Sequence, residues 1–245
     1  MPATFATYTE ASLNAYKFNP KSQEVLERKK EILTSIAQHH GNSPASVLFY
    51  GFSPLMLIST AKMIAVTDIT DEIKKFLDST GVKYVYIKEA DLKDYKKQFD
   101  WVVATDEYFT FAVTEQAQLD KVQTVAELAK DVIVTTLRDY KNQDFRDREF
   151  SQPLAVRNGR DSKIFLEYHD HDYDYNDKNA WKTTVHEMTG LAGNVTGPFA
   201  RRSMYFKQMA KFSIDAGAKE FYVHKNLMYK SLIKKNYEHV ISISF

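Results

Sequence analysis

The chain has no cysteine, which excludes disulfides, thiolate metal sites and a cysteine nucleophile and suits a reducing compartment. Glycine is scarce, eight in 245 residues, where average usage of about 7% would give roughly 17. Each remaining glycine therefore marks a place where the backbone needs one. An excess of one charge is also lacking: 33 Lys and Arg against 32 Asp and Glu leave +1, so no global field draws the molecule to nucleic acid or a membrane. No apolar run approaches the ~18 residues of a transmembrane helix. The opening MPATFATYTEASLNAYKF has neither the basic nor the apolar region of a secretory signal, so a cytoplasmic protein is expected. Aromatic residues, by contrast, are plentiful at 13%, and the length suits one large α/β domain.

The stretch Val47 to Asp68, VLFYGFSPLMLISTAKMIAVTD, reads as a buried strand, a tight turn, a short connection and a second buried strand ending on an acid. A carboxylate at a strand end about 20 residues after a strand–turn unit is how a Rossmann-type domain positions a nucleoside. The turn, Gly51-Phe52-Ser53-Pro54, has one glycine where such sites carry two or three. Around it, strands are expected at 46–50, 63–67, 82–87, 99–104 and 131–136, alternating with helices at 22–40, 70–79 and 114–130. That alternation is the pattern of right-handed βαβ units and a mostly parallel twisted sheet. Residues 1–20 lack a clear period and read as an arm or short helix, which with the 22–40 helix forms an N-terminal piece (1–40) ahead of the domain proper (41–245). After Arg138 come a long polar connection (141–161), a hairpin of two strands (162–169 and 180–188) around an acidic tip, and a helix over 199–216 closed by Gly217. A final strand pair, 220–224 and 239–245, is expected to be antiparallel at the sheet edge. The fold class is α/β, Rossmann-like, with a C-terminal antiparallel strand and an inserted hairpin at about 162–188.

This order of elements, together with Arg138-Asp139-Tyr140 after the fifth strand and the hairpin before the last helix, resembles class I S-adenosylmethionine-dependent methyltransferases. The layout is most similar to glycine and sarcosine N-methyltransferases, with a degenerate glycine-rich motif. The resemblance spans roughly residues 30–245 and implies S-adenosylmethionine as cofactor and methyl transfer to a small-molecule acceptor. It implies that Gly51 and Phe52 lie under the methionine end, that Asp68 bonds the ribose hydroxyls, and that Asp91 and Leu92 contact adenine. Asp106, Glu107, Arg138 and Tyr140 would hold the acceptor. The departures point another way: Phe52, Ser53 and Pro54 fill the space that glycines leave open, and Pro54 removes a donor. The alternative is a catalytically inactive methyltransferase-like structural or interaction protein, and the chain faintly resembles such proteins of tailed phages. The two readings divide on whether the crevice above Gly51 is open or filled by Phe52 and Met56.

Other features keep two readings each. Asp106 and Glu107 either line the crevice at a strand end or cap the next segment. His169 and His171, two apart, would share one face of a strand and could begin a metal site with Asp174 or His186, or belong to a solvated acidic tip; no metal set is assigned. Residues 201–235 hold nine Lys and Arg against Asp215 and Glu220, a protein or nucleic-acid contact or an ordinary solvated face. The acceptor and the oligomeric state are not written in the sequence.

Overall fold

The computed structural model describes residues 4–138, 148–171, 179–230 and 237–245. A seven-stranded sheet is built from β1 (Ser46–Tyr50), β2 (Met63–Thr67), β3 (Val85–Tyr86), β4 (Phe99–Ala104), β5 (Ala129–Leu137), β11 (Glu220–Lys230) and β12 (Tyr237–Ser244). Its order is β11-β12-β5-β4-β1-β2-β3. The first five strands are parallel, while β12 runs antiparallel to both β5 and β11. The central strands are apolar runs buried on both faces, as a covered parallel sheet demands. The strand order reverses between β1 and β4, so their carboxyl ends form the crevice in which such sheets bind ligands.

Helices α2 (Ser22–His40), α3 (Asp71–Thr80), α4 (Glu115–Leu128) and α5 (Phe206–Asp215) cover the sheet. Their starts and stops follow local chemistry. The Thr70 and Thr114 hydroxyls accept from the third backbone N–H of α3 and α4. Gly41 and Gly81, both left-handed, end α2 and α3. The β1–β2 connection is a single 3-10 turn, Pro54–Ile58, with Ser53 as its cap and Pro54 in first position, where a missing N–H costs nothing.

A second, antiparallel sheet has the order β10-β9-β8-β6, with β7 also on β8. It comprises β6 (Arg148–Phe150), β7 (Leu154–Asn158), β8 (Asp161–Asp170), β9 (Ala180–Thr189) and β10 (Ala192–Arg202). It is larger than the expected hairpin, and the 141–161 connection contributes two of its strands. The expected helix over 199–216 begins only at Phe206, because residues 199–202 end β10. Gly193, Gly197 and Pro198 are tolerated in that strand because β10 is an edge strand with a register shift between Thr196 and Phe199. The third strand of the parallel sheet is two residues long rather than six, and its side chains are exposed. The last pair is longer than expected at β11, which continues past an irregularity between His224 and Met228.

Residues 5–18 form helix α1, capped by Thr4 and Thr7 in a reciprocal pair of hydrogen bonds. Phe5, Tyr8, Leu13 and Tyr16 are all buried. A helix buried on several sides shows no single apolar stripe, which is why its sequence has no clear period. Among the described residues no helix is long and apolar enough to cross a membrane.

The central strands carry the core, so Ile133→Ala, at a fully buried position of β5, is expected to cost about 2–5 kcal/mol. Loss of the α3 cap in Thr70→Ala should cost only about 1 kcal/mol. Urea unfolding of both variants checks the ranking, and the reverse order would place the core elsewhere.

Candidate functional site

The crevice at the ends of β1, β2 and β4 is filled by the chain itself. Gly51 leaves β1 with φ +66°, its N–H bonded to the Thr67 carbonyl at 3.0 Å. A Cβ on Gly51 would lie 2.7 Å from the Phe5 ring and 2.8 Å from the Thr9 side chain, well inside contact distance. The Thr9 hydroxyl also accepts the Phe52 N–H at 3.1 Å. Phe52 points away from the crevice into the core, between the rings of Tyr16 and Phe76, and Met56 is buried as well. The surface above Gly51 is therefore helix α1.

Asp68, at the end of β2, is half-buried with φ +52°. The Ala6 backbone N–H, in the first turn of α1, lies near its carboxylate and favours the charged form. Burial, helped by the charge of Glu89, pushes this carboxyl up to about 6, against the pull of Lys121 and the Ala6 N–H. Leu92 is buried while Asp91 is exposed. Leu92 lines a cavity of about 380 Å³ with Tyr50, Glu89, Tyr108 and Lys121, where the Tyr50 hydroxyl is buried without a hydrogen-bond partner. Lys121 lies over the Tyr108 ring at 4.1 Å, and burial pushes its ammonium down to about 8 despite Asp68 and Glu89.

Asp106 and Glu107, both left-handed (φ 55° and 57°), follow β4. They sit beside Arg138 at the end of β5, and all three are buried. Glu107 Oε2 meets Arg201 Nη2 at 2.9 Å and Arg138 Nε at 3.1 Å. Arg138 reaches on to Glu167 at 3.3 Å, as His169 does at 3.4 Å, and the Tyr8 hydroxyl donates to the other Glu167 oxygen. Asp106 accepts from the Tyr229 hydroxyl at 3.1 Å. The Lys29 ammonium sits 3.4 Å from the centre of the Tyr229 ring and 3.3 Å from the Lys230 carbonyl. Burial pushes Lys29 down to about 8, partly restored by Asp106 and Glu238. Glu238 itself accepts from Thr136 at 2.5 Å.

Three of the four expected acceptor residues thus come together, and Tyr140 lies outside the described residues. Lys29, Glu167, Arg201, Tyr8, Tyr229 and Glu238 were missed. Arg201 and Arg202 read as surface charge but are buried, the first on Glu107 and Thr110, the second on Gln118. His169 is also drawn inward, with Nδ1 3.0 Å from the Thr183 hydroxyl, so it is not part of a solvated tip. Asp174 is outside the described residues. The usable signal was Arg201-Arg202 directly after the apolar pair Phe199-Ala200; for Glu167 and Lys29 there was none.

No protein-family profile matches the sequence, and neither does any curated protein. Solved structures do match. DesVI from Streptomyces venezuelae superimposes with a TM-score of 0.63 at 13% identity, over 91% of this chain and 92% of its own. CalS10 from Micromonospora echinaspora, an amino pentose methyltransferase with S-adenosylmethionine bound, gives 0.61 at 12% identity over 99% and 98%. The CcbJ methyltransferase from Streptomyces caelestis gives 0.60 at 14% identity over 88% of each chain. This is the class I methyltransferase fold. In this structure Phe5 and Thr9 stand over Gly51.

Gly51→Ala combines a left-handed backbone with a clash, whereas Gly81→Ala, at φ +76°, faces open space. The second should cost about 1–2 kcal/mol from backbone strain alone, the first clearly more, as thermal unfolding would show. Asp68 binds its proton more tightly folded than unfolded, where its ordinary value is 3.8. It therefore adds stability as pH falls from about 6 to about 4. Asp68→Asn should flatten that part of the stability–pH curve, and an unchanged curve would show that Asp68 is not raised.

Proposed function

We propose that this chain is a methyltransferase-fold protein working as a structural or interaction module, with helix α1 seated where the fold class holds S-adenosylmethionine. The observation that carries this reading is the contact of Phe5 and Thr9 with Gly51. The magnitudes agree. Lifting α1 would expose Phe5, Tyr8, Leu13 and Tyr16, on the order of 6–12 kcal/mol at ~1.5–3 kcal/mol per large side chain. A ligand present at a hundred times its Kd contributes only about 2.7 kcal/mol. The helix holds the seat.

One observation favours a second reading, an S-adenosylmethionine-dependent methyltransferase for a small molecule with α1 as a displaceable cover. Four carboxylates (Asp106, Glu107, Glu167, Glu238) and three bases (Lys29, Arg138, Arg201) are buried at the crevice, and such concentrations of buried charged groups are characteristic of active sites. CalS10, an amino pentose methyltransferase similar in fold, makes a sugar-like acceptor the natural first class to screen in that case. A protein or nucleic-acid contact through the basic segment would begin at Lys207, since Arg201 and Arg202 face inward. The structural likenesses lend no support to a phage-assembly role.

Calorimetric titration with S-adenosylmethionine and S-adenosylhomocysteine separates the readings. The module reading expects no binding near millimolar ligand, both in the wild type and in Phe5→Ala/Thr9→Ala. Micromolar binding by the wild type, abolished in Asp68→Ala, would overturn it. Binding that appears only in Phe5→Ala/Thr9→Ala would establish the covered enzyme.

A further inference from the structure

A second constellation lies at the other end of α2, independent of the crevice. Helix α2 closes on two consecutive histidines, His39 and His40, and is stopped by left-handed Gly41. The start of edge strand β11 brings Glu220 against them, with His39 Nε2 3.5 Å from Glu220 Oε1. One donor atom from each of His39, His40 and Glu220 lies within 4.8 Å of the others. His40 Nε2 is buried and has no hydrogen-bond partner, an expensive state for a ring nitrogen unless something else completes it. We propose that these three side chains form a binding site for one divalent transition-metal ion, zinc above all.

The donor set suits that class. Two imidazoles and a carboxylate are ligands of zinc and its neighbours, whereas magnesium and calcium take oxygen alone. Tetrahedral zinc with bonds near 2.0–2.2 Å places its donors about 3.4 Å apart, so the rings must close by about an ångström. Glu220 is exposed, and its flexible side chain can make most of that move.

A metal takes imidazole in its neutral form. Burial, then the neighbouring His39, lowers His40 despite Glu220. Behind them His224 is pushed down to about 4 by burial and by both histidines. His224 bonds Ser242 through Nε2 at 2.9 Å, and Tyr222 stacks on His39 at 4.1 Å between ring centres, so the ring wall is fixed in place. Three protein ligands leave the remaining coordination to water. Lys29 and Tyr229 belong to the same two elements, with Lys29 about 15 Å along α2, so the ion would clasp α2 to β11 at the end remote from the buried charges.

The test is calorimetric titration of the full chain, free of any polyhistidine tag and stripped with EDTA, using zinc chloride and separately magnesium chloride. One zinc per chain with micromolar or tighter affinity, no magnesium binding, and a rise in Tm with zinc are expected. His40→Ala and Glu220→Gln should each weaken zinc by about tenfold or more. Exposed His39→Ala, which disturbs no core packing, should do the same with an unchanged circular dichroism spectrum. His186→Ala, on β9, should bind as the wild type does. Absence of zinc binding, or binding that survives all three ligand substitutions, overturns the site.

Discussion

Glu107 is fully buried, and the rest of the crevice is arranged around that fact. A carboxylate out of water is tolerable only when cations and donors surround it, and the chain supplies them from distant places. Arg138 comes from the end of the parallel strand β5, and Arg201 from the last residues of the antiparallel sheet. Arg138 then passes the link to Glu167 in the middle of β8, and Glu167 to Tyr8 of α1. One chain of charge-assisted bonds thus joins both sheets and the first helix. Substituting apolar residues throughout would give as much cohesion, but not this register: each group has one partner geometry, and together they fix where β8, β10 and α1 sit on the sheet.

Seen this way, the methyltransferase fold and the filled crevice have a common origin. The α/β core places acids at the carboxyl ends of β2 and β4, where the fold class meets its ligand. In this chain the Ala6 N–H lies near Asp68, and Glu107 is satisfied from within by two arginines. A fold does not carry a function by itself. What decides is whether the groups at the switch point face a void or face one another: Glu107 faces its arginines, while Tyr50, Glu89 and Lys121 line a cavity of about 380 Å³.

The parallel core was legible because its signals are local. The apolar runs at Ser46–Tyr50, Met63–Thr67 and Phe99–Ala104 are strands with those bounds, and α2 runs from Ser22 to His40 as its period requires. Asp106 and Glu107 were found because they follow a strand end at the crevice, and Arg138 because it opens the triplet that carries the resemblance. What stayed hidden depends on tertiary packing. The partners of Glu107 come from 31 and 94 residues away, and no short motif encodes such pairings. Helix α1 looked aperiodic because it is buried on several sides, and β10 was not expected because its glycines and proline are tolerated only at a sheet edge. Arg201 and Arg202 read as surface because an arginine's burial is decided by a partner, not by its neighbours in sequence.

Helix α1 has a consequence in time as well as in space. Its 14 residues are too few to hold a helix alone in water, and its seat includes Gly51, Glu167 and Phe199. A ribosome adding ~5–20 residues per second needs on the order of 10–40 s to reach that last element. Helix α1 is therefore made well before the residues that seat it. Until then its aromatic side chains are exposed in the nascent protein, available to chaperones and to one another.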